Sequence, residues 1–293
     1  MRIVPRYDLF FMAFYSLLIL LVGTMILFIS GEPAVGLGIA PALALYLLVV
    51  LRKPWRRRRA ASKPFPGKWH EFLSAHSAYF RGLGEDGRKQ FERDVRLFFA
   101  EVRIAGIGGQ ALAWQTRLLI ASGAAAMLHG QPDWEPPLPD GVTVYPGWSF
   151  DRNYQVAKGN IAGQAPPRGP LLVAEASLQK GFADPADGFN VLVHELAHFF
   201  DREVRKSGAK FRRHSANSVS WAEILDREWR GHDHGASILP AYAAQNEAEF
   251  FAVASEVFFE KPWPLQAAHP SLFDILREFY GQDPRQVLNA PRN

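Results

Sequence analysis

The sequence predicts an α+β protein, with more helix than strand, preceded by two transmembrane helices, and three observations carry that expectation. Two uncharged apolar runs open the chain. From about residue 86 onward, long segments repeat their apolar residues at the helical period. Only VTVY (142–145) and LLVA (171–174) combine β-branched or apolar residues with flanking turn residues in the manner of strands. At 293 residues, 48% hydrophobic and 21% charged, the chain has an ample core, and collagen, coiled coil and wholesale disorder are excluded. It has no cysteine, which removes a disulfide scaffold, a thiolate zinc site, an iron–sulfur cluster and a thiol nucleophile. Any metal must therefore sit on His, Asp or Glu.

The first run, residues 9–31, carries no charge. About 20 helical residues cross a hydrocarbon core of about 30 Å. The run exceeds the roughly 7–15 residues of a signal-peptide core, and a second uncharged run, 33–51, follows the lone Glu32. Residues 1–51 therefore read as a transmembrane hairpin with helices at 9–30 and 34–51. Glycines and Pro41 soften the second helix, which membrane helices tolerate. Residues 1–63 hold nine Lys and Arg against Asp8 and Glu32, or +7, while the remainder holds 24 basic and 27 acidic residues, or −3. Arg2 and Arg6 precede the hairpin, RKPWRRRR (52–59) follows it, and the turn has no cation. That asymmetry puts both termini in the cytoplasm. Beside a membrane helix the basic run reads as a topogenic signal that attracts anionic headgroups. Residues 9–59 are thus expected to meet lipid, and no nucleic acid is expected.

Residues 52–67 read as a basic juxtamembrane linker ending in KPFPG, whose two prolines block helix. A globular domain over 68–285 and a tail over 286–293 follow. Within the domain, helices are expected near 86–104 and 108–129, the latter with Leu112, Leu118, Leu119, Met127 and Leu128 as its apolar positions. PDWEPPLPDG (132–141) is a loop, and a Gly/Pro-rich excursion over 146–170 separates the two strands. A strong helical segment spans 189–206 and a polar irregular stretch runs to about 218. Further helices fit 218–230, 246–260 and 271–280.

The segment GFNVLVHELAHFFDREV (188–204) carries the chemistry. His194 and His198 are four residues apart, so a helix projects both imidazoles from one face, where both can reach a single Zn²⁺. Glu195 falls beside that pair, where a general base for the attacking water belongs. Val191, Leu192, Val193, Leu196, Ala197, Phe199 and Phe200 make the helix a core helix, in which two histidines and a glutamate need a purpose. A catalytic zinc takes a third protein ligand, and Asp201, His214, Glu223, His232, His234, Glu247, Glu249 and Glu256 are the downstream candidates. Asp201, on the same straight helix, suits an acceptor that orients a histidine or backbone better than a ligand. His232 and His234 flank Asp233 in a loop-like RGHDHG and read as solvated. Glu249 lies at the edge of the apolar stripe of 246–260, well placed to enter a site between two helices. Asn246 followed by Glu249 is equally a capping box, and spacing alone leaves those two roles open.

HELAHFFD together with AYAAQNEAEFFAVASEVFFE resembles the Mlc titration factor A family of bacterial zinc-dependent peptidases. The similarity runs more weakly from about 70 to 285, through YPGWSF (145–150), RGPLLVAEASL (168–178) and DGFNVLVHELAH (187–198). The resemblance implies a zincin-like fold, related around the metal to the protease domain of anthrax lethal factor. It implies one Zn²⁺ on His194, His198 and Glu249, with Glu195 as the base and Tyr242, seven residues before Glu249, assisting catalysis. It also implies aminopeptidase-like hydrolysis of a peptide or protein substrate, which the hairpin would hold at the cytoplasmic face of a bacterial inner membrane. The strand at 171–174 is expected to pair with substrate backbone. The family's namesake binds and inactivates a glucose-responsive transcriptional repressor, so a repressor-sequestering protein with little turnover is the competing function. The chain departs from the family in its hairpin and in EVRKSGAKFRRHSANS (203–218), which lacks the usual acidic, glycine-containing run. It has no histidine between His129 and His194, and Gln155 stands about where some members have one.

Overall fold

The two apolar runs fold as α1 (Arg6–Ser30) and α2 (Pro33–Ala61), two helices long and apolar enough to cross a membrane. The computed structural model describes residues 1–31, 33–152, 159–207, 221–230 and 238–288. Gly31 ends α1 in the left-handed conformation (φ 65°) that its missing Cβ makes accessible, and its N–H returns to the Leu27 carbonyl. The helices approach closely at Gly23, where a Cβ would lie 2.7 Å from Ile39 Cγ1. α2 continues ten residues beyond the predicted 51. Arginine, tryptophan and alanine sustain the helix through the basic run, and Pro54 removes only one backbone bond. The helix ends where KPFPG begins.

The chain divides into two compact units, Met1–Pro64 with Pro132–Trp134, and Phe65–Gln131 with Glu135–Asn293. In the first, Arg2 clamps Asp133 through Nη1 at 2.6 and 2.7 Å and donates its backbone N–H to the Pro132 carbonyl at 2.6 Å. Arg57, 1% exposed, donates to the Arg2 carbonyl at 2.9 Å.

The second unit is mostly helical with a small sheet, as the sequence predicts; that sheet is mixed and has four strands rather than the two expected. It begins with α3 (Gly67–His76), α4 (Ala78–Gly82) and α5 (Glu85–Glu101). β1 (Ile104–Gly106), α6 (Trp114–Leu128), β2 (Val142–Tyr145), β3 (Gly163–Gln164) and β4 (Leu171–Ala174) follow. The rest is α7 (Glu175–Ala183), α8 (Val191–Ser207), α9 (Trp221–Arg230), α10 (Glu247–Glu260), α11 (Pro262–Ala268) and α12 (Pro270–Tyr280). The sheet order is β1-β2-β4-β3, with β1, β2 and β4 parallel and β3 antiparallel to β4 in the register Gly163↔Val173. α8 packs along α10, whose residues from Phe250 to Glu260 are all buried.

Four local expectations change. The helix predicted over 86–104 stops at Glu101, and Ile104–Gly106 pairs with β2 instead. The helix predicted from 108 starts at Trp114, because Gly108 (φ 66°) and Gly109 (φ 81°) turn the chain first. The 146–170 excursion contains β3 and a bridge between Phe150 and Ile161. Lastly, β4 lies inside the sheet with both edges paired, to β2 and to β3, so 171–174 has no edge to offer a substrate. β3 is the outer strand on that side of the described sheet.

Candidate metal centre

α8 begins with Asn190, whose Oδ1 accepts the N–H groups of Leu192 (3.2 Å) and Val193 (3.3 Å). The helical period then stacks His194 and His198 on one face, with ring centroids 4.9 Å and Nε2 atoms 3.2 Å apart. α10 begins in the same way, Asn246 Oδ1 accepting from Ala248 and Glu249, both at 3.0 Å. Asn246 thus caps the helix, but the Glu249 carboxylate leaves for the histidines. Oε2 lies 3.1 Å from His194 Nε2 and Oε1 lies 3.5 Å from His198 Nε2. The packing of α8 on α10 makes this meeting. Among the described residues His194, His198 and Glu249 form a group whose ligand atoms all lie within 4.8 Å of one another.

These spacings suit zinc. Bonds of about 2.0–2.1 Å at tetrahedral angles separate neighbouring donors by roughly 3.3 Å; the two Nε2 atoms stand 3.2 Å apart and Glu249 Oε2 lies 3.1 Å from that of His194, while the other carboxylate oxygen, Oε1, lies 3.5 Å from that of His198. Two imidazole nitrogens and a carboxylate oxygen are also a donor set that zinc favours.

A second carboxylate stands behind the first histidine. Glu256 is 2% exposed, and its Oε1 meets His194 Nδ1 at 2.7 Å while Oε2 accepts the Asn190 N–H at 2.6 Å. With Nδ1 so engaged, Nε2 is the ring atom aimed at Glu249 and His198, the orientation a ligand needs. Glu260, one turn on, accepts from Gly188 (3.0 Å), Phe189 (3.1 Å) and Asn190 Nδ2 (3.1 Å), which fixes the entry to α8 from below.

Of the other candidates, Asp201 is buried and, like Glu247, lies outside the trio. Gln155, His214, His232 and His234, and the side chain of Glu223, lie outside the described residues. Glu256, which the sequence offers as a possible ligand, lies outside the trio and bonds to His194 Nδ1 instead. Its signal was the seven-residue spacing from Glu249, two turns along one face of α10.

The electrostatics follow from burial and these contacts. Burial pulls the His194 pKa down, but the hydrogen bonds with Glu249 and Glu256 prevail and raise it to about 10. Burial opposes the charge of Glu249, yet its bonds with both histidines hold it well below the usual carboxylate range. Glu195 goes the other way. Burial drives it up to about 7, partly offset by the two nearby imidazoles. Tyr242, its ring 5.9 Å from that of His194, is raised to about 12 by burial, the Glu249 charge and a hydrogen bond to Glu249. It therefore stays a protonated donor at neutral pH. β3 passes directly over Glu195, since a Cβ on Gly163 would lie 2.7 Å from its Cγ.

The sequence profile of the glucose-regulated metallo-peptidase M90 family matches residues 52–281. Mlc titration factor A of Escherichia coli is 28% identical over 272 residues, covering 82% of this chain and 95% of that protein. The protein of the same name from Pectobacterium atrosepticum is 31% identical over 176 residues, 52% of this chain and 63% of its own. An uncharacterized protein of Synechocystis is 26% identical over 245 residues, 78% and 89% of the two chains. The match reaches from the basic run to the end of α12 and takes in both helices of the His–His–Glu cluster, so the chain belongs to the glucose-regulated metallo-peptidase M90 family.

Proposed function

We propose that this protein is a membrane-tethered zinc metallopeptidase with one Zn²⁺ on His194, His198 and Glu249. The convergence of a carboxylate from α10 on two imidazoles of α8, at spacings that suit a tetrahedral ion, carries the reading. When bound, zinc supplies a Lewis acid for the scissile carbonyl and acidifies a water. Glu195 takes the water's proton and passes it to the leaving amine, a task suited to a carboxylate tuned toward neutrality. Tyr242 donates a hydrogen bond to the developing oxyanion, a contribution of about 3–4 kcal/mol by analogy with other oxyanion donors. An extended peptide pairs along β3, which passes over Glu195. Cleavage is aminopeptidase-like, acting from the amino end of a peptide or protein.

The same reading divides the chain into a hairpin (1–51), a basic juxtamembrane segment (52–67), a peptidase domain (68–285) and a tail (286–293). The positive charge flanking the hairpin orients the domain to the cytoplasm at a bacterial inner membrane. Purified full-length protein is expected to hold one zinc per chain and to cleave peptides from a mixed library. The Glu195→Gln variant should keep its zinc and lose at least 100-fold in rate. Undiminished cleavage by zinc-loaded Glu195→Gln protein ends the catalytic reading.

The name of the Escherichia coli relative, a titration factor, favours a second reading, a binding protein that sequesters a transcriptional repressor at the membrane with little turnover. Capture of a cytosolic regulator that persists in Glu195→Gln and in metal-stripped protein supports that reading over catalysis.

A further inference from the structure

We propose that a cavity at the root of α8 is a binding site for a small primary alkylammonium ion, held by the Glu260 carboxylate. The cavity, about 60 Å³, lies between the start of α4, α6, α7, the start of α8 and the end of α10. Glu260 and Asn190 line it together with Tyr79, Met127, Phe182 and Phe259. His194, His198 and Glu249 are not in its wall, so the site is separate from the metal cluster. The volume is under half of the roughly 150 Å³ that admits benzene to an engineered cavity, so it takes a head group and a few carbons.

The ligand's chemistry follows from Glu260. Its buried carboxylate accepts three N–H bonds, from Gly188, Phe189 and Asn190 Nδ2. All three partners are donors, which suits the ionised form, and a carboxylate has about four acceptor sites, so one is left. No lysine, arginine or histidine among the described residues pairs with it, and no lysine or arginine lines the cavity. His76, also in the wall, has its Nδ1 on the Phe72 carbonyl. Burial pushes the Glu260 carboxyl up to about 8, with the charges of Asp187 and Glu256 adding to it, as befits a buried anion without a counter-ion. A primary ammonium supplies both missing parts, the charge and the fourth hydrogen bond. The aromatic walls favour a cation, and the apolar ones take its carbons. Gly188, Phe189 and Asn190 lead into α8, so the ligand stands where the helix that bears both histidines begins.

The test titrates the full chain in detergent micelles with ethylammonium chloride at about pH 9, where carboxylate and amine are both charged, and follows binding by ligand-observed NMR. One saturable site per chain is expected, at least tenfold tighter than for ethanol, which lacks the charge, or tetramethylammonium, which lacks the N–H donors. Glu260→Gln should weaken binding at least tenfold. Ala126→Leu, which fills the cavity from its wall and leaves the carboxylate in place, should do the same. It decides the matter if near-ultraviolet circular dichroism shows that Glu260→Gln does not fold. Equal affinity for ethanol or for tetramethylammonium overturns the proposal. Undiminished binding in a folded Glu260→Gln or Ala126→Leu chain places the amine elsewhere, such as on a bound metal, and overturns it likewise.

Discussion

Glu256 shows how much of a metal site is decided one shell out. Its Oε1 accepts a hydrogen bond from His194 Nδ1 while its other oxygen accepts from the Asn190 N–H. In Glu256→Gln the amide oxygen still satisfies Asn190, but the amide nitrogen turns a donor toward Nδ1. His194 must then carry its proton on Nε2, the atom aimed at Glu249 and His198. Zinc affinity is expected to fall 10–100-fold with the fold intact, as measured by chelator competition beside a thermal melt. Unchanged affinity would show that Glu256 does no orienting. Glu195 makes a second prediction, in pH. A general base must be ionised, so kcat/KM falls as pH drops through its pKa, which burial raises to about 7. The charge of a bound Zn²⁺ lowers that value, which places the acid limb at or below 7. A pH–rate profile that is flat from pH 5 to 8 removes Glu195 from the role.

Among the elements, what was legible in the sequence was what is local. The pairing of His194 with His198 follows from four residues of helix, and the start of α10 follows from Asn246, whose side chain makes the expected cap. Glu249 was only half legible. Its position in the first turn is local, but its choice between cap and cluster is made by the packing of α10 on α8, which no spacing encodes. β1 and β3 were invisible for a related reason. Ile-Ala-Gly and Gly-Gln have little strand propensity of their own and are extended because β2 and β4 hold them. The loss matters for the proposed function, since β3 rather than 171–174 is the strand beside Glu195. Gly163 is the residue that lets it lie there. Its Cβ would meet Glu195 Cγ and Val191 Cγ2 at 2.7 Å, so Gly163→Val must push either the strand or the base aside. Displacement by an ångström can cost about 100-fold in rate. A loss of tenfold or more in kcat with full zinc content is expected, read by peptide hydrolysis beside metal analysis. An unaltered kcat means the strand can retreat without disturbing Glu195.

For the whole molecule, the deciding question is what solvent covers the hairpin. Phe28 is 90% exposed, Ile29 74% and Leu48 72%, among a run of exposed large apolar side chains along both helices. Burying one such side chain is worth about 1.5–3 kcal/mol, so leaving this many in water would cost tens of kcal/mol, more than the 5–15 kcal/mol that stabilises a typical domain. Lipid is the available apolar phase, and the close approach at Gly23 is the kind of contact on which helices associate there. Electrostatic adhesion through the +7 of residues 1–63 is the competing account, and it makes an opposite prediction. Charge attraction is screened within about 3 Å at 1 M salt, whereas hydrophobic insertion is not weakened by salt. The full chain is therefore expected to stay in the membrane fraction through washes in about 1 M salt and in alkaline carbonate, and to leave it only in detergent. If the flanking cations orient the hairpin as proposed, a carboxy-terminal tag should also resist protease added outside sealed cells and become cleavable once they are opened. Release by salt alone would leave a basic protein adhering to the surface, while cleavage in intact cells would invert the hairpin and place the His–His–Glu cluster outside the cytoplasm.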